Sequence, residues 1–152
     1  IITCFQDKKI VTEKLQALLN ITSNEDFNLL KDAALTGNKI TTNRLLNDTL
    51  IEPDKGLYYL NVINQRLNKL KEINNIKGSN NLEDKIKNLR PPIFWKDKNT
   101  FVNQAKLWNS AKIKNMLKET YELEIRFKSN SNINNNVIIK KLILDICECA
   151  NF

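Results

Sequence analysis

The chain has 152 residues, of which 41% are apolar, enough to bury a core and to exclude wholesale disorder. No stretch approaches the roughly 18 to 20 apolar residues of a membrane-spanning helix, and three Gly with three Pro leave few turns for a many-stranded β fold. The net charge of +7 favours an anionic partner, although the Lys-, Asn- and Ile-rich composition of a low-GC genome accounts for part of that basicity.

The elements follow in chain order. Val11 to Leu19 reads as a short helix with Thr12 as its cap and Leu15, Leu18 and Leu19 on one face. Ser23 caps a second helix, which has Glu25 and Asp26 in its first turn and Phe27, Leu30, Ala34 and Leu35 as its stripe. Gly37 closes it. A third helix from about Lys39 to Ile51 turns Ile40, Leu45 and Leu46 inward, and Pro53 separates it from the next. The fourth, about Pro53 to Asn74, repeats Leu57, Leu60, Ile63 (or Asn64), Leu67 and Leu70 at threes and fours. This near-heptad seam packs against other helices, of this chain or of a neighbouring subunit, and its five residues are candidate interface positions.

Residues 75–81 form a polar connector, and a short helix over Leu82 to Leu89 is stopped by Pro91-Pro92. Helices over Asn99 to Leu107 and Ser110 to Lys128 come next. The Asn-rich loop Ser129 to Asn136 precedes a final helix, Val137 to about Ala150, which presents Ile139, Leu142, Ile143 and Ile146. The expected fold is an all-α bundle of about seven or eight helices with short links.

Chemistry is sparse. Without His there is no His-based acid–base catalysis, no Ser-His-Asp or Cys-His arrangement and no His metal ligand. The isolated Gly37, Gly56 and Gly78 make no phosphate-cradling loop. Cys147-x-Cys149 lacks zinc spacing. With Cys4 the thiols are odd in number, as in a reducing, cytoplasmic setting. No catalytic residue, metal site or cofactor is expected.

What remains is suited to contacts. Phe94, Trp95, Lys96 and Lys98 follow the rigid Pro-Pro turn. They either staple the loop onto the core or stack on a base and neutralise phosphates, which makes them the candidate DNA contacts. Trp108, just before the helix entrance at Asn109 or Ser110, reads as a hydrophobic staple. On the long helix, Ile113, Met116, Leu117, Tyr121, Leu123 and Phe127 define an apolar arc that also contains Glu124. Lys128, four residues on, is its natural partner, either as a surface pair or as an anchor orienting neighbouring helices.

Arg90-Pro91-Pro92-Ile93-Phe94-Trp95-Lys96, a helix entered at Trp108-Asn109, and then Glu124-x-x-x-Lys128 near the end of a long helix resemble the last third of delta subunits of the bacterial DNA polymerase III clamp loader. Leu29-Leu30-x-Asp32-Ala33-Ala34-Leu35-x-Gly37 resembles an earlier helix of the same family, so the likeness runs from about Val11 to Ala150. The resemblance implies that residues 1–22 are the tail of the small AAA+-like lid domain and residues 23–152 the helical collar domain. It also implies a non-ATPase subunit of a nucleotidyltransferase holoenzyme in DNA replication. The collar would join delta-prime and tau/gamma subunits, with primer–template DNA passing beneath it. The sliding clamp would be opened by an N-terminal domain that this chain, starting at Ile1, does not contain. The Ser129–Asn136 loop carries no aromatic, which departs from a DNA-stacking role there. The alternative is a free-standing basic helical nucleic-acid-binding domain.

Overall fold

The structure is a computed structural model that describes residues 25–76, 81–129 and 134–152. The helix expected at 11–19, the Ser23 cap, Cys4 and the domain division after residue 22 lie outside these residues. Among the described residues the chain is all-α, with seven helices and no strand.

The first helix, α1, covers residues 25–35 and buries Phe27, Leu30, Ala34 and Leu35. It ends as the sequence requires. Gly37 adopts φ +69°, its N–H bonds to the Ala34 carbonyl at 2.9 Å, and the Asn38 N–H reaches back to Ala33 at 3.1 Å. These two bonds cover carbonyls that a helix end leaves open.

Helix α2, Lys39–Asp48, is capped by Asn38, whose side chain accepts from the Thr41 N–H at 3.0 Å. Its buried residues are Thr42 and Leu46, one turn apart. Ile40 lies about 200° around the helix from Thr42 and is 86% exposed, contrary to the inward position expected for it. The helix also stops before Ile51, which is buried in the connector ahead of a 3-10 turn, Pro53–Lys55.

Helix α3, Gly56–Asn75, is the central element. It packs chiefly on α6 (Ser110–Lys128) and also on α4 (Leu82–Lys87), α5 (Lys98–Leu107) and α7 (Asn135–Asn151). Its seam corrects the expected subunit interface. Leu60, Ile63, Leu67 and Leu70 are buried in this chain's own core, and Leu57 alone of the five is exposed. The start of α3 passes close to the end of α6: a Cβ on Gly56 would come within 2.9 Å of the Phe127 ring.

On α6 the arc buries Ile113 and Met116, with Leu117, Leu123 and Phe127 half-buried. Tyr121 is 63% exposed, which corrects its expected inward place. Thr120 takes the buried position and donates to Asn64 Oδ1 on α3 at 2.6 Å. Helix α7 begins two residues earlier than expected, with Asn134 as its cap. Asn135 and Asn136, expected in a loop, belong to the helix. They donate to the carbonyls of Pro53 and Ile51 at 3.0 and 2.9 Å, fastening α7 to the connector before α3.

Candidate interaction surface

The stretch between α4 and α5 is where the sequence concentrates its aromatics and cations. Ile86 and Leu89 anchor its near end in the core. The chain then runs through a cis Arg90–Pro91 peptide and Pro92 to a 3-10 turn, Trp95–Asp97. Ile93 is half-buried against the core, whereas Phe94 is 58% and Trp95 73% exposed. The two rings lie 5.8 Å apart, and the Lys96 ammonium sits 5.4 Å from the centre of the Trp95 ring. Of the two readings of these aromatics, stapling onto the core does not occur.

Beside this segment a groove of about 460 Å³ opens between α1, α3 and residues 92–97. Its α3 wall presents Tyr58, Asn61, Gln65, Arg66 and Lys69, its α1 wall Asn28 and Lys31, and its rim Phe94 and Asp97. Of the four expected contacts only Phe94 lines the groove; Trp95, Lys96 and Lys98, the last half-buried as the first residue of α5, do not.

Polar residues hold the groove floor. Asp32 accepts from Arg66 Nη2 at 3.2 Å and from Gln104 Nε2 on α5 at 3.0 Å, so one carboxylate joins three helices. Arg66 and Gln104 are buried, and the Arg66 guanidinium lies 5.4 Å from the centre of the Phe101 ring. Lys31 is only 6% exposed. Its ammonium donates to Asn28 Oδ1 at 2.9 Å and lies 3.6 Å from Asp32. Burial holds it below the ordinary lysine value, Asp32 opposes that shift, and Arg66 adds to it.

The sequence marked neither Asp32, Arg66 and Gln104 nor Lys31 as a group. A signal was present, because Arg66 falls between Ile63 and Leu70 on the inward face of α3 and Gln104 between Phe101 and Trp108. A polar side chain on such a face needs a buried partner.

The other expected positions lie elsewhere. Trp108 is buried, its indole N–H donates to the Leu35 carbonyl at 2.8 Å, and Asn109 caps α6 by accepting from the Lys112 N–H. The Glu124–Lys128 pair forms at 2.6 Å on the surface, at the edge of a shallow pocket with Leu57 and Leu60. It is a helix-surface pair rather than a buried anchor. Between α6 and α7, burial and the neighbouring Asp145 carboxylate, itself 2.6 Å from Lys141, raise the Glu119 carboxyl above the ordinary glutamate value. Cys147 is buried and Cys149 half-buried, and among the described residues no three metal-ligating side chains converge.

No protein-family model, no characterised protein and no solved structure matches the chain. No helix among the described residues is long and apolar enough to cross a membrane.

Proposed function

We propose that this chain is the collar region of a clamp-loader delta subunit, a helical domain that holds neighbouring subunits in a ring. The observation that carries this reading is the order of the signature along one all-α chain: Arg90-Pro91-Pro92-Ile93-Phe94-Trp95-Lys96, then Trp108-Asn109, then Glu124 and Lys128. Three features support it. Asn109 caps the long helix directly after a core tryptophan, the Glu124–Lys128 pair is formed, and the signature aromatics stand outside the core. In this reading residues 1–22 end the small lid domain and residues 23–152 are the collar. Because the α3 seam is already covered, the faces left for delta-prime and tau/gamma include Tyr121 and Ile125, one turn apart on α6.

Light scattering after size-exclusion chromatography of this chain mixed with intact delta-prime and tau/gamma subunits tests the proposal. A stoichiometric complex is expected, burying on the order of 1,200–2,000 Å² or more. Separate elution of every component would overturn it. A second reading, a basic nucleic-acid-binding domain acting alone, draws on the exposed Phe94 and Trp95 in a chain of net charge +7. It predicts salt-steep binding without a protein partner.

A further inference from the structure

We propose that the groove between α1, α3 and residues 92–97 is a binding site for single-stranded nucleic acid, with phosphates held by Lys31 and Lys69 and a base stacked on Phe94 at the rim and on the neighbouring Trp95 ring, 5.8 Å from it. The proposal rests on the groove itself and holds whether or not the chain assembles into a ring.

Three properties of the groove point to this ligand. The first is charge. Arg66 is paired with Asp32, which leaves Lys31 and Lys69 against Asp97 along the groove, with Lys96 over the Trp95 ring outside it. Lys31 holds its ammonium in a cleft with one amide oxygen at 2.9 Å and a carboxylate no nearer than 3.6 Å. An incoming phosphate oxygen would complete its coordination. The second is shape. The α3 wall from Tyr58 to Lys69 is about 16 Å long at 1.5 Å per residue, a track for a strand rather than a closed pocket for a small molecule. The third is surface chemistry. Asn61 and Gln65 offer side-chain amides suited to base edges, while Phe94 and the neighbouring Trp95 offer exposed rings suited to base faces. A base can lie on such rings only when it is unstacked from its neighbours, which selects a single strand over a duplex. An acidic peptide would match the charge but not the aromatic rim.

The test is fluorescence titration of the 152-residue chain with a dT oligonucleotide of about ten nucleotides. Trp95 is exposed and Trp108 buried, so stacking quenches one tryptophan and not the other, and Trp95→Phe abolishes the quench. The logarithm of the affinity should fall against that of salt concentration with a slope of about −1.4 for the two phosphates held. Lys69→Glu and Trp95→Ala should each weaken binding about tenfold or more. Lys118→Glu on the outer face of α6 should leave it within about twofold, and circular dichroism should show all variants folded. Equal losses from Lys118→Glu and Lys69→Glu would mean diffuse attraction and overturn the site. So would duplex DNA or poly-glutamate binding as tightly as the single strand, or no binding at low salt. Co-elution with delta-prime and tau/gamma is scored separately on the same variants. Failure of the groove and failure of the collar reading are thereby distinguishable.

Discussion

Trp108 and Trp95 lie at the two ends of α5, yet Trp108 is 1% exposed and Trp95 73%. Around Trp108 every option is closed. Its ring fills the core, its only polar atom donates to the Leu35 carbonyl, and its own carbonyl accepts from Asn74 at 3.0 Å. It thereby ties α1, α3 and the entrance of α6 together. Around Trp95 the opposite holds. Its ring is edged by Phe94 and Lys96, and no core contact depends on it. An aromatic carries roughly 150–250 Å² of surface. Two adjacent rings left in water are the pattern of a contact surface rather than of folding. The same residue type serves cohesion at one end of the helix and contact at the other, and local sequence alone does not separate the roles.

The comparison breaks first at Trp108. Trp108→Ala should cost about 3–5 kcal/mol, whereas Trp95→Ala should stay within about 0.5 kcal/mol. Urea unfolding curves for the two variants check both, and a large loss from Trp95→Ala would erase the distinction. Asp32→Ala should come next, at about 2 kcal/mol, because it leaves the Arg66 guanidinium buried without its carboxylate. The same variant should loosen the groove floor, seen as faster amide exchange in the adjoining turns of α1 and α3. Gly37→Ala should cost about 1–2 kcal/mol, since the left-handed backbone disfavours a Cβ and that Cβ would meet the Asn151 amide at 3.0 Å. A calorimetric melt measures it.

The smallest effect concerns pH. Glu119 holds its proton to a higher pH in the folded chain than in the unfolded one. The folded state therefore binds more protons between the ordinary glutamate value and the raised one. Stability contributed at low pH is lost as pH rises through that window. Glu119→Gln should flatten that decline and stabilise the chain at neutral pH by about a few tenths of a kcal/mol. Thermal melts at several pH values on either side of the glutamate range would show it. A parallel shift at all pH values would assign the effect to something other than this carboxyl.

Where apolar periodicity set the structure, the sequence was readable. The α1 stripe with its Gly37 stop, the α3 seam, and the extents of α5 and α6 agree with the pattern to within about two residues. Ile40 and Tyr121 were misplaced because threonines, Thr42 and Thr120, occupy the buried positions instead. A hydroxyl that finds a partner, as Thr120 does on Asn64, can displace a larger apolar side chain from the inward face. The α3 seam was legible as a seam, but its partner was not. Period alone says that a face is covered, and only tertiary packing says by what. The groove was half legible. Phe94 to Lys96 stood out, whereas Lys31, Asp32, Arg66 and Gln104 come together from three helices, with up to 72 positions between partners.

The closing bond of α1 has a further consequence. The Gly37 carbonyl accepts from the Asn151 side chain, 114 positions later, and Asn151 also reaches the Cys147 carbonyl at 2.7 Å. At synthesis rates of about 5–20 residues per second, α1 waits on the order of ten seconds for this partner. During translation α1 can form locally, but its end stays unlatched until the final turn of α7 has left the ribosome. A nascent chain stalled before Asn151 would therefore expose the Gly37 turn to proteases, while a chain with Asn151 in place would shield it.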